Sequence, residues 1–325
     1  MKAMLCKQFG PPSSLELTEL PSPTPKPGQV VVAVRAAGAN FPDTLMIEGK
    51  YQYKPPFPFA PGAEFSGVVS TLGEDVTQFK PGDAVMGLST WGAFATEIAV
   101  DAARLVPLPA GTDFKLAASF GLTYGTSYHA LVDRAQLRAG ETLLVLGAAG
   151  GVGLAAVELG KILGARVIAA ASSDDKLATC RRYGADECIN YETEDLRDGV
   201  KRITGSTGVD VVYDPVGGKY AEPAVRSLAW KGRYLVVGFA NGEIPKIPLN
   251  LVLLKGSALV GVFWGSFNTQ EAVASRANTM QLLDWLRAGK IKPLISLTYP
   301  LARAAEALEA LAARRVQGKA IIEMG

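Results

Sequence analysis

Residues that bind transition metals are scarce in this 325-residue chain, which contains one histidine, His129, and three cysteines. Cys6, Cys180 and Cys188 are scattered and never form a C-x-x-C pair, so they indicate neither a disulfide framework nor a zinc knuckle. A catalytic zinc ion needs three protein ligands of the nitrogen, sulfur or oxygen type. We therefore interpret His129 as a packed or hydrogen-bonded helix residue and expect no metal site.

Long apolar runs and a strong net charge are also missing. No stretch approaches the ~18 unbroken apolar residues of a membrane span, and the first residues hold no apolar run of signal-peptide length. The net charge is +2, which gives no indication of a nucleic-acid partner. We therefore expect a cytoplasmic protein that acts on a small molecule, without a membrane or nucleic acid as partner.

Two kinds of pattern divide the chain, and its length makes two domains the natural expectation. Short β-like runs with turn signals, such as "QVVVAVRAAG" and "DAVMGL", fill the first third and predict a barrel-like β domain. From Thr142 onward, strands and helices alternate, and the strands are almost wholly apolar. This rhythm predicts a parallel sheet covered on both faces. The C-terminal tail, which runs from "TMQLLDWLRAGKI" to "KAIIEM", has no nucleotide-type loop, and we expect it to complete the N-terminal domain.

A glycine-rich loop, "GAAGGVG", separates the strand that ends at Leu146 from a helix. Such loops let the backbone approach a pyrophosphate, and the free N–H groups at the helix start hold the anion. Ala148 takes the first position of the usual G-x-G-x-x-G pattern, and Gly150 and Gly153 follow. Close helix–sheet packing is the alternative explanation of these glycines. The loop predicts a dinucleotide site at Ala149, Gly150, Gly151 and Val152.

The next strand, "RVIAAA", bears on which dinucleotide is bound. NAD-binding folds place an acidic residue at its end to hold the ribose hydroxyls. Here the strand ends in Ser172 and Ser173, and Lys176 follows. Two hydroxyls and an ammonium group suit a 2′-phosphate, so we predict NADPH as the cofactor. Asp174 and Asp175 are interpreted as first-turn acids of a helix capped by one of the serines.

Three segments carry a family resemblance: "VLGAAGGVGLAAVELGKILGARVIA", "GEDVTQFKPGDAVMG" and "NFPDTLMIEGKYQYKPPFPFAPGAEFSGVV". Together they resemble the medium-chain dehydrogenase/reductase superfamily, and within it the zinc-free NADPH:quinone oxidoreductases related to zeta-crystallin. The resemblance covers essentially the whole chain. It implies an α/β fold with a GroES-like β-barrel catalytic domain, residues 1–120 and 265–325. It also implies a Rossmann domain with a doubly wound parallel sheet, residues 121–264, and a nicotinamide in the cleft between the domains.

The same resemblance separates this chain from the zinc alcohol dehydrogenases. Those enzymes place a cysteine after "AAG" and a histidine in a "GHE" motif, where this chain has Asn40 and Ala63. The four-cysteine lobe that binds their structural zinc is absent as well. Both departures agree with the scarcity of metal ligands in the composition.

The resemblance also implies roles for individual residues. Asn40 would lie beside the nicotinamide ribose, Thr123 would approach the nicotinamide, and Tyr191 would flank the adenine. Tyr51 matches a tyrosine of related enoyl-thioester reductases, and its alternative role is an aromatic lid on the proline-rich loop. Leu45 stands where several quinone reductases have a tyrosine. The predicted catalytic residues are Asn40, Tyr51 and Thr123, and the other expected cofactor contacts are Val216, Gly238, Phe239, Ala240, Phe263, Trp264, Gly265 and Lys319.

A site without a metal ion favours a hydride acceptor whose reduction needs little assistance from an acid. A quinone takes a hydride readily because the developing charge spreads over its conjugated dioxo ring, so we predict an NADPH-dependent reductase of quinones or similar conjugated carbonyls. An enoyl-CoA or enone reductase would need a donor at the carbonyl, and Lys50 and Lys54 could bind the CoA. A protein that binds NADPH without turnover is the third alternative. The apolar run "ALVGVFW" predicts a homodimer joined at a sheet edge.

Overall fold

The computed structural model describes all residues from Met1 to Gly325. It divides into two compact units: a discontinuous unit of Met1–Leu122 with Pro293–Gly325, and a central unit of Thr123–Lys292. Residues 265–292, which the family resemblance assigned to the GroES-like domain, lie in the central unit. Local contacts explain this difference, because Trp285 packs on Tyr128 with ring centroids 5.7 Å apart and Asn278 donates to Asp133 at 2.8 Å.

The first segment is mostly β-structure, as its short alternating runs predict. Its elements are β1 (Lys2–Leu5), β2 (Glu16–Glu19), β3 (Gln29–Ala39), α1 (Phe41–Ile47), β4 (Glu64–Leu72), β5 (Ala84–Leu88), β6 (Glu97–Asp101), β7 (Leu105–Pro107) and α2 (Phe114–Ala117). β1 and β2 form a separate antiparallel pair.

The central unit alternates strands with helices. Its elements are α3 (Gly121–Tyr128, which begins in the first segment), β8 (Thr142–Leu146), α4 (Gly151–Ile162), β9 (Arg166–Ala171), α5 (Asp174–Arg182), β10 (Glu187–Asn190), α6 (Leu196–Thr204), β11 (Val209–Asp214), α7 (Ala221–Arg226), β12 (Leu228–Val236), α8 (Leu249–Lys255), β13 (Ala258–Gly261), α9 (Trp264–Gln270) and α10 (Ala272–Arg287). None of the helices combines the length and apolar composition needed to cross a bilayer.

All six strands of the central sheet run parallel, in the order β10-β9-β8-β11-β12-β13. The chain builds outward from β8 to β10 on one side and then returns to build from β11 to β13 on the other. The strand order therefore reverses next to β8, and ligands of open α/β sheets bind at the carboxyl ends of the strands at this point.

The tail returns to the discontinuous unit as β14 (Ile295–Pro300), α11 (Ala304–Ala312) and β15 (Lys319–Glu323). In the larger sheet of this unit, β15 lies between β14 and β3, and Ala320 stands opposite Ala39 on β3. Buried side chains such as Val30, Val32 and Phe65 form its core. Residues Pro293–Gly325 therefore belong to the discontinuous unit, whereas the helical segment "TMQLLDWLRAGKI", which was expected to join it, lies in the central unit.

One helix is shorter than its sequence predicts. The segment "YAEPAVRSLAWKG" is typical of a helix up to Gly232, but α7 ends at Arg226 and β12 begins at Leu228. Leu228 pairs with Val209 of β11, and the pairing shifts register before Arg233. Tertiary strand pairing overrides the local helix preference here.

Candidate functional site

The glycine loop forms a tight turn between β8 and α4. Gly147 has a φ of +57°, and Gly150 is the N-cap of α4. A β-carbon on Gly153 would lie inside van der Waals distance of the Gly147 carbonyl oxygen and 2.9 Å from the Ala148 Cα, so packing explains that glycine. A β-carbon on Gly150 would meet nothing closer than 3.4 Å. Packing within the protein therefore does not require glycine at 150, and the predicted approach of a dinucleotide to this backbone stays a prediction.

The start of α4 offers donors at this turn. The first N–H groups of a helix have no partner in the preceding turn, and here they belong to Gly151, Val152 and Gly153. The Leu154 N–H makes the first helical bond, to Gly150 O at 2.7 Å. With the positive end of the helix dipole, these donors suit a pyrophosphate.

The end of β9 holds the residues predicted to select the 2′-phosphate. Ser173 is the N-cap of α5, and its side chain accepts from the Lys176 backbone N–H. The Lys176 ammonium donates to Ser172 Oγ at 3.0 Å, so the hydroxyl and the cation lie side by side. Asp174 and Asp175 form the first turn of α5, as predicted, and Asp174 accepts from the Asn190 side chain at 3.0 Å.

Tyr191 lies beside this group, at the end of β10. Its N–H donates to Ala171 O at 3.2 Å, which keeps it next to the end of β9. Its ring lies 4.4 Å from the ring of Tyr220, whose hydroxyl donates to Glu192 Oε1 at 2.9 Å. The Lys219 ammonium stands 5.0 Å over the Tyr220 ring. Tyr220 is a partner that sequence reasoning missed, because the contact joins segments far apart in the chain.

The carboxyl ends of β11 and β12 are held together by Asp214. This buried carboxylate accepts from the N–H groups of Val216 and Gly217 at 2.6 and 2.8 Å and from the hydroxyl of Tyr234. Burial raises the pKa of Asp214, against these hydrogen bonds, which lower it. Gly238, Phe239 and Ala240 follow directly after β12. The residues predicted to contact the cofactor, Val216 and Gly238–Ala240, therefore follow two adjacent strands of the sheet.

Thr123 and the "FWG" segment also belong to the central unit. Thr123 is buried in α3, two residues before Gly125. The Trp264 indole packs directly on Gly125, where a β-carbon would lie 2.8 Å from indole Cε2. Phe263 is 45% exposed, and Gly265 lies in the first turn of α9. The structure thus brings Trp264 against the helix that carries Thr123.

A buried polar cluster occupies the discontinuous unit, where Asn40 connects β3 to α1. It consists of Asn40, Asp43, Glu64 and Lys319, each at most 5% exposed. The Lys319 ammonium forms a salt bridge with Glu64 at 2.9 Å. Asp43 accepts from the N–H groups of Asn40 and Gly62 at 2.8 and 3.2 Å. Burial raises the pKa of Asp43 to about 7, although the Asn40 N–H and Lys319 oppose the rise.

Glu64 and Asp43 were not singled out from the sequence. A signal was available, because Glu64 precedes the apolar run "FSGVV" and Lys319 precedes "AII". A charged residue that enters a buried strand needs a partner of opposite charge. The pairing of these two residues could not be read from the sequence, because 255 positions separate them.

Tyr51 lies further along the first segment and is half-buried against the core of the discontinuous unit. Its ring centroid is 5.9 Å from that of Tyr53. Burial, with smaller contributions from Tyr53 and Asp43, raises the pKa of Tyr51. The phenol therefore keeps its proton well above neutral pH.

The single histidine contacts two side chains of the central unit. His129 Nδ1 lies 2.7 Å from Asp133 Oδ2, and its ring stacks on Phe267 with centroids 3.9 Å apart. No group of three or more His, Cys, Asp or Glu side chains is arranged so that it could hold a metal ion.

Comparisons with known proteins agree with this architecture. The alcohol dehydrogenase GroES-like domain family matches residues 26–110, and the zinc-binding dehydrogenase family matches residues 151–279. Quinone oxidoreductase-like protein 2 of Rattus norvegicus is 37% identical in an alignment of 337 positions that covers 99% of this chain and 96% of the relative. The quinone oxidoreductase of Homo sapiens is 34% identical over 311 residues, 95% of this chain and 93% of the relative.

A crystal structure gives the same result for the fold. Quinone oxidoreductase of Escherichia coli complexed with NADPH matches with a TM-score of 0.93 and 30% identity, over 99% of this chain and 100% of that one. The chain belongs to the medium-chain dehydrogenase/reductase superfamily. The predicted α/β fold, with a GroES-like domain and a Rossmann domain, is confirmed.

Proposed function

We propose that this protein is an NADPH-dependent oxidoreductase that reduces quinones without a metal ion. The observation that carries the proposal is the turn before α4. Packing within the protein would tolerate a side chain at position 150, so the glycine there leaves space for a ligand beside the backbone. The free N–H groups that follow it suit a pyrophosphate. The relatives support the proposal, since they include quinone oxidoreductases, one of them complexed with NADPH.

The residues present fit this cofactor. The backbone at Ala149–Val152 would hold the pyrophosphate, Ser172, Ser173 and Lys176 would hold the 2′-phosphate, and Tyr191 would flank the adenine. When bound, NADPH supplies a hydride from its nicotinamide ring. Further residues proposed to contact and orient the cofactor are Asn40, Thr123, Val216, Gly238, Phe239, Ala240, Phe263, Trp264 and Gly265.

The proposal of a metal-free reaction rests on the donor set of the chain. Asn40 and Ala63 stand where zinc-dependent relatives carry a cysteine and a histidine, and alanine has no ligand atom. The imidazole of His129 is held by Asp133 and Phe267. A quinone is the acceptor that fits these residues, because its reduction needs no Lewis acid to polarise an isolated carbonyl.

A conjugated enone or enoyl thioester is the second candidate acceptor, and Tyr51 is the observation that favours it. The phenol carries its proton at neutral pH and could donate it to a carbonyl oxygen, although burial, which raises its pKa, makes it a weaker acid. Lys50, at the neighbouring position, pairs with Glu48 at 2.7 Å in an exposed salt bridge. A CoA phosphate would have to compete with that carboxylate.

NADPH oxidation with three acceptors tests the proposed function. We expect turnover of 9,10-phenanthrenequinone and 1,4-benzoquinone that survives dialysis against a chelator, and slower turnover of crotonyl-CoA. Preference for crotonyl-CoA would identify an enone reductase. Tight NADPH binding without turnover of any acceptor would favour a sensor, and loss of quinone turnover on chelation would contradict the metal-free reaction.

We further propose that two copies pair through the edge of the central sheet. β13 is the edge strand, and it carries the partly exposed Leu259. The neighbouring α8 exposes Leu249, Leu253 and Leu254, each at least 70% accessible. Exposed apolar side chains on an edge strand and on the helix before it are typical of an interface, so a second copy is the expected partner.

The substitution Leu253→Lys is expected to convert a dimer into a monomer of 34.2 kDa, because it places a charge in the centre of this apolar surface. Sedimentation velocity over a concentration series measures the change. Val273→Lys is the matched control, since Val273 is 87% exposed on α10 and should leave the dimer intact. A monomeric parent protein at all concentrations would contradict the proposal.

A further inference from the structure

Two hydroxyl groups are fully buried in the central unit, and they contact each other. Ser127 lies on α3 and Tyr213 lies on β11, and their hydroxyl oxygens are 2.8 Å apart. Burial of a hydroxyl group costs free energy unless it is hydrogen-bonded. A phenylalanine ring would fill the same space on this buried strand, so packing alone does not explain the Tyr213 hydroxyl.

The hydrogen bonds of this hydroxyl pair, Ser127 and Tyr213, run in one direction. Ser127 Oγ lies 2.8 Å from Val152 O, and a carbonyl oxygen only accepts, so the single serine hydrogen goes there. The Tyr213 hydroxyl then donates to Ser127 Oγ. The opposite arrangement would leave the tyrosine hydrogen without an acceptor, because Ser127 is the only hydrogen-bond partner of this hydroxyl. Burial raises the pKa of Tyr213, so the phenol holds the proton that it donates.

The final acceptor, Val152 O, lies in the first turn of α4, where Val152 is the second residue. A peptide unit is planar and trans, so the Val152 carbonyl and the Gly153 N–H form one rigid group and point in opposite directions. Because Ser127 holds the oxygen, the direction of the Gly153 N–H is fixed as well. That N–H is one of the donors at the start of α4 that suit a pyrophosphate.

The hydroxyl pair also connects this turn to the central sheet. Tyr213 stands opposite Val145 of β8, the strand that leads into the glycine loop. The start of α4 is therefore held to β11 through side chains, independently of the loop itself. A hydrogen bond to a carbonyl oxygen also polarises its peptide unit, which makes the N–H of that unit a stronger donor.

We propose that Ser127 and Tyr213 are positioning residues that hold the first turn of α4 in the orientation that binds a pyrophosphate. The inference rests on the proposed function, under which this pyrophosphate belongs to NADPH. Both side chains are fully buried, so they act on the cofactor only through the backbone. Ser127 acts through the Val152 carbonyl, and Tyr213 acts through Ser127.

Two ligands, NADPH and adenosine 2′-monophosphate, test the inference, because the second carries the 2′-phosphate and lacks the pyrophosphate. We expect Ser127→Ala to weaken NADPH binding about ten-fold, the effect of one hydrogen bond, and to leave the affinity for adenosine 2′-monophosphate unchanged. Fluorescence titration and competition measure the two affinities. An equal loss for both ligands, or unchanged NADPH affinity, would overturn the inference. A parent protein that binds no NADPH would instead refute the proposed function itself.

A double variant separates positioning from stability. Ser127→Ala leaves the Tyr213 hydroxyl buried without a partner, which lowers the thermal midpoint of unfolding. Adding Tyr213→Phe removes the second polar group, so the midpoint should return towards that of the parent protein. NADPH binding should stay about ten-fold weaker, because nothing holds the Val152 carbonyl. An NADPH affinity that recovers together with the midpoint would contradict the inference.

Tyr213→Phe alone tests the outer member of the pair. We expect it to weaken NADPH binding about three-fold, because Ser127 keeps its bond to Val152 but loses the donor that orients it. Parent affinity in this variant would overturn the role of Tyr213. Ser227→Ala is the matched control, since Ser227 is 5% exposed in the same unit and donates to Pro223 O at 2.8 Å. It should bind both ligands as the parent protein does.

Discussion

The substitution Gly153→Ala is expected to abolish NADPH binding and to lower the thermal midpoint of unfolding by roughly 10 °C. The added methyl group would collide with the Gly147 carbonyl oxygen and the Ala148 Cα. Both obstacles are backbone atoms, so no side-chain rotation relieves the clash. α4 must shift away from β8, and the N–H groups that face the pyrophosphate move with it. Differential scanning calorimetry and fluorescence titration measure the two effects.

Gly150→Ala is the matched control for this prediction. Its β-carbon has room and its φ is −75°, which any residue adopts, so the thermal midpoint should change little. NADPH binding should nevertheless weaken by about ten-fold or more, because the methyl group would stand where the pyrophosphate approaches the backbone. Equal NADPH affinity in this variant and the parent protein would mean that the ligand does not approach Gly150.

The second large effect is expected from Lys176→Ala, which should weaken NADPH binding roughly ten- to hundred-fold and leave NADH binding unchanged. The physical reason is the loss of a charge-assisted hydrogen bond to the 2′-phosphate, which contributes about 1.5–3 kcal/mol. The ammonium group already lies beside Ser172 Oγ, so little rearrangement is needed for both to contact the phosphate. Competitive titration of the two nucleotides measures the change in preference.

Lys176→Arg provides the conservative comparison, because it keeps a cation at the end of β9. It should retain most of the preference for NADPH over NADH. If Lys176→Ala retained the parent preference as well, the 2′-phosphate would have to be recognised elsewhere, and the assignment of Ser172, Ser173 and Lys176 would fail.

Local sequence was enough to predict the central sheet and the local structure at the end of β9. The strand predicted from "RVIAAA" coincides with β9, because a run of apolar residues bounded by turns needs both faces covered. Ser173 caps α5 and places Asp174 in its first turn, as the local hydrogen-bonding chemistry dictates. These features depend on residues that are a few positions apart, so hydrophobic periodicity and helix-capping rules are enough to predict them.

Features that depend on distant contacts were not predictable. Glycine is a weak helix former, yet Gly125 lies inside α3, where the Trp264 indole packs against it. The residues "LAWKG" became part of β12, in which Leu228 pairs with Val209 of β11. The Glu64–Lys319 pair likewise joins the two ends of the chain. Each outcome was decided by a partner that is remote in sequence.

The position of β15 between β14 and β3 has a consequence for biosynthesis. A ribosome delivers Lys319 only after the whole central unit, which is contiguous and can close its own sheet first. Until then, residues Ala36–Ala39 of β3 lack their β15 partner, and Glu64 and Asn40 lack a cation that is translated 255 and 279 residues later, respectively. The nascent first segment therefore cannot reach its finished electrostatic balance until β15 has been synthesised.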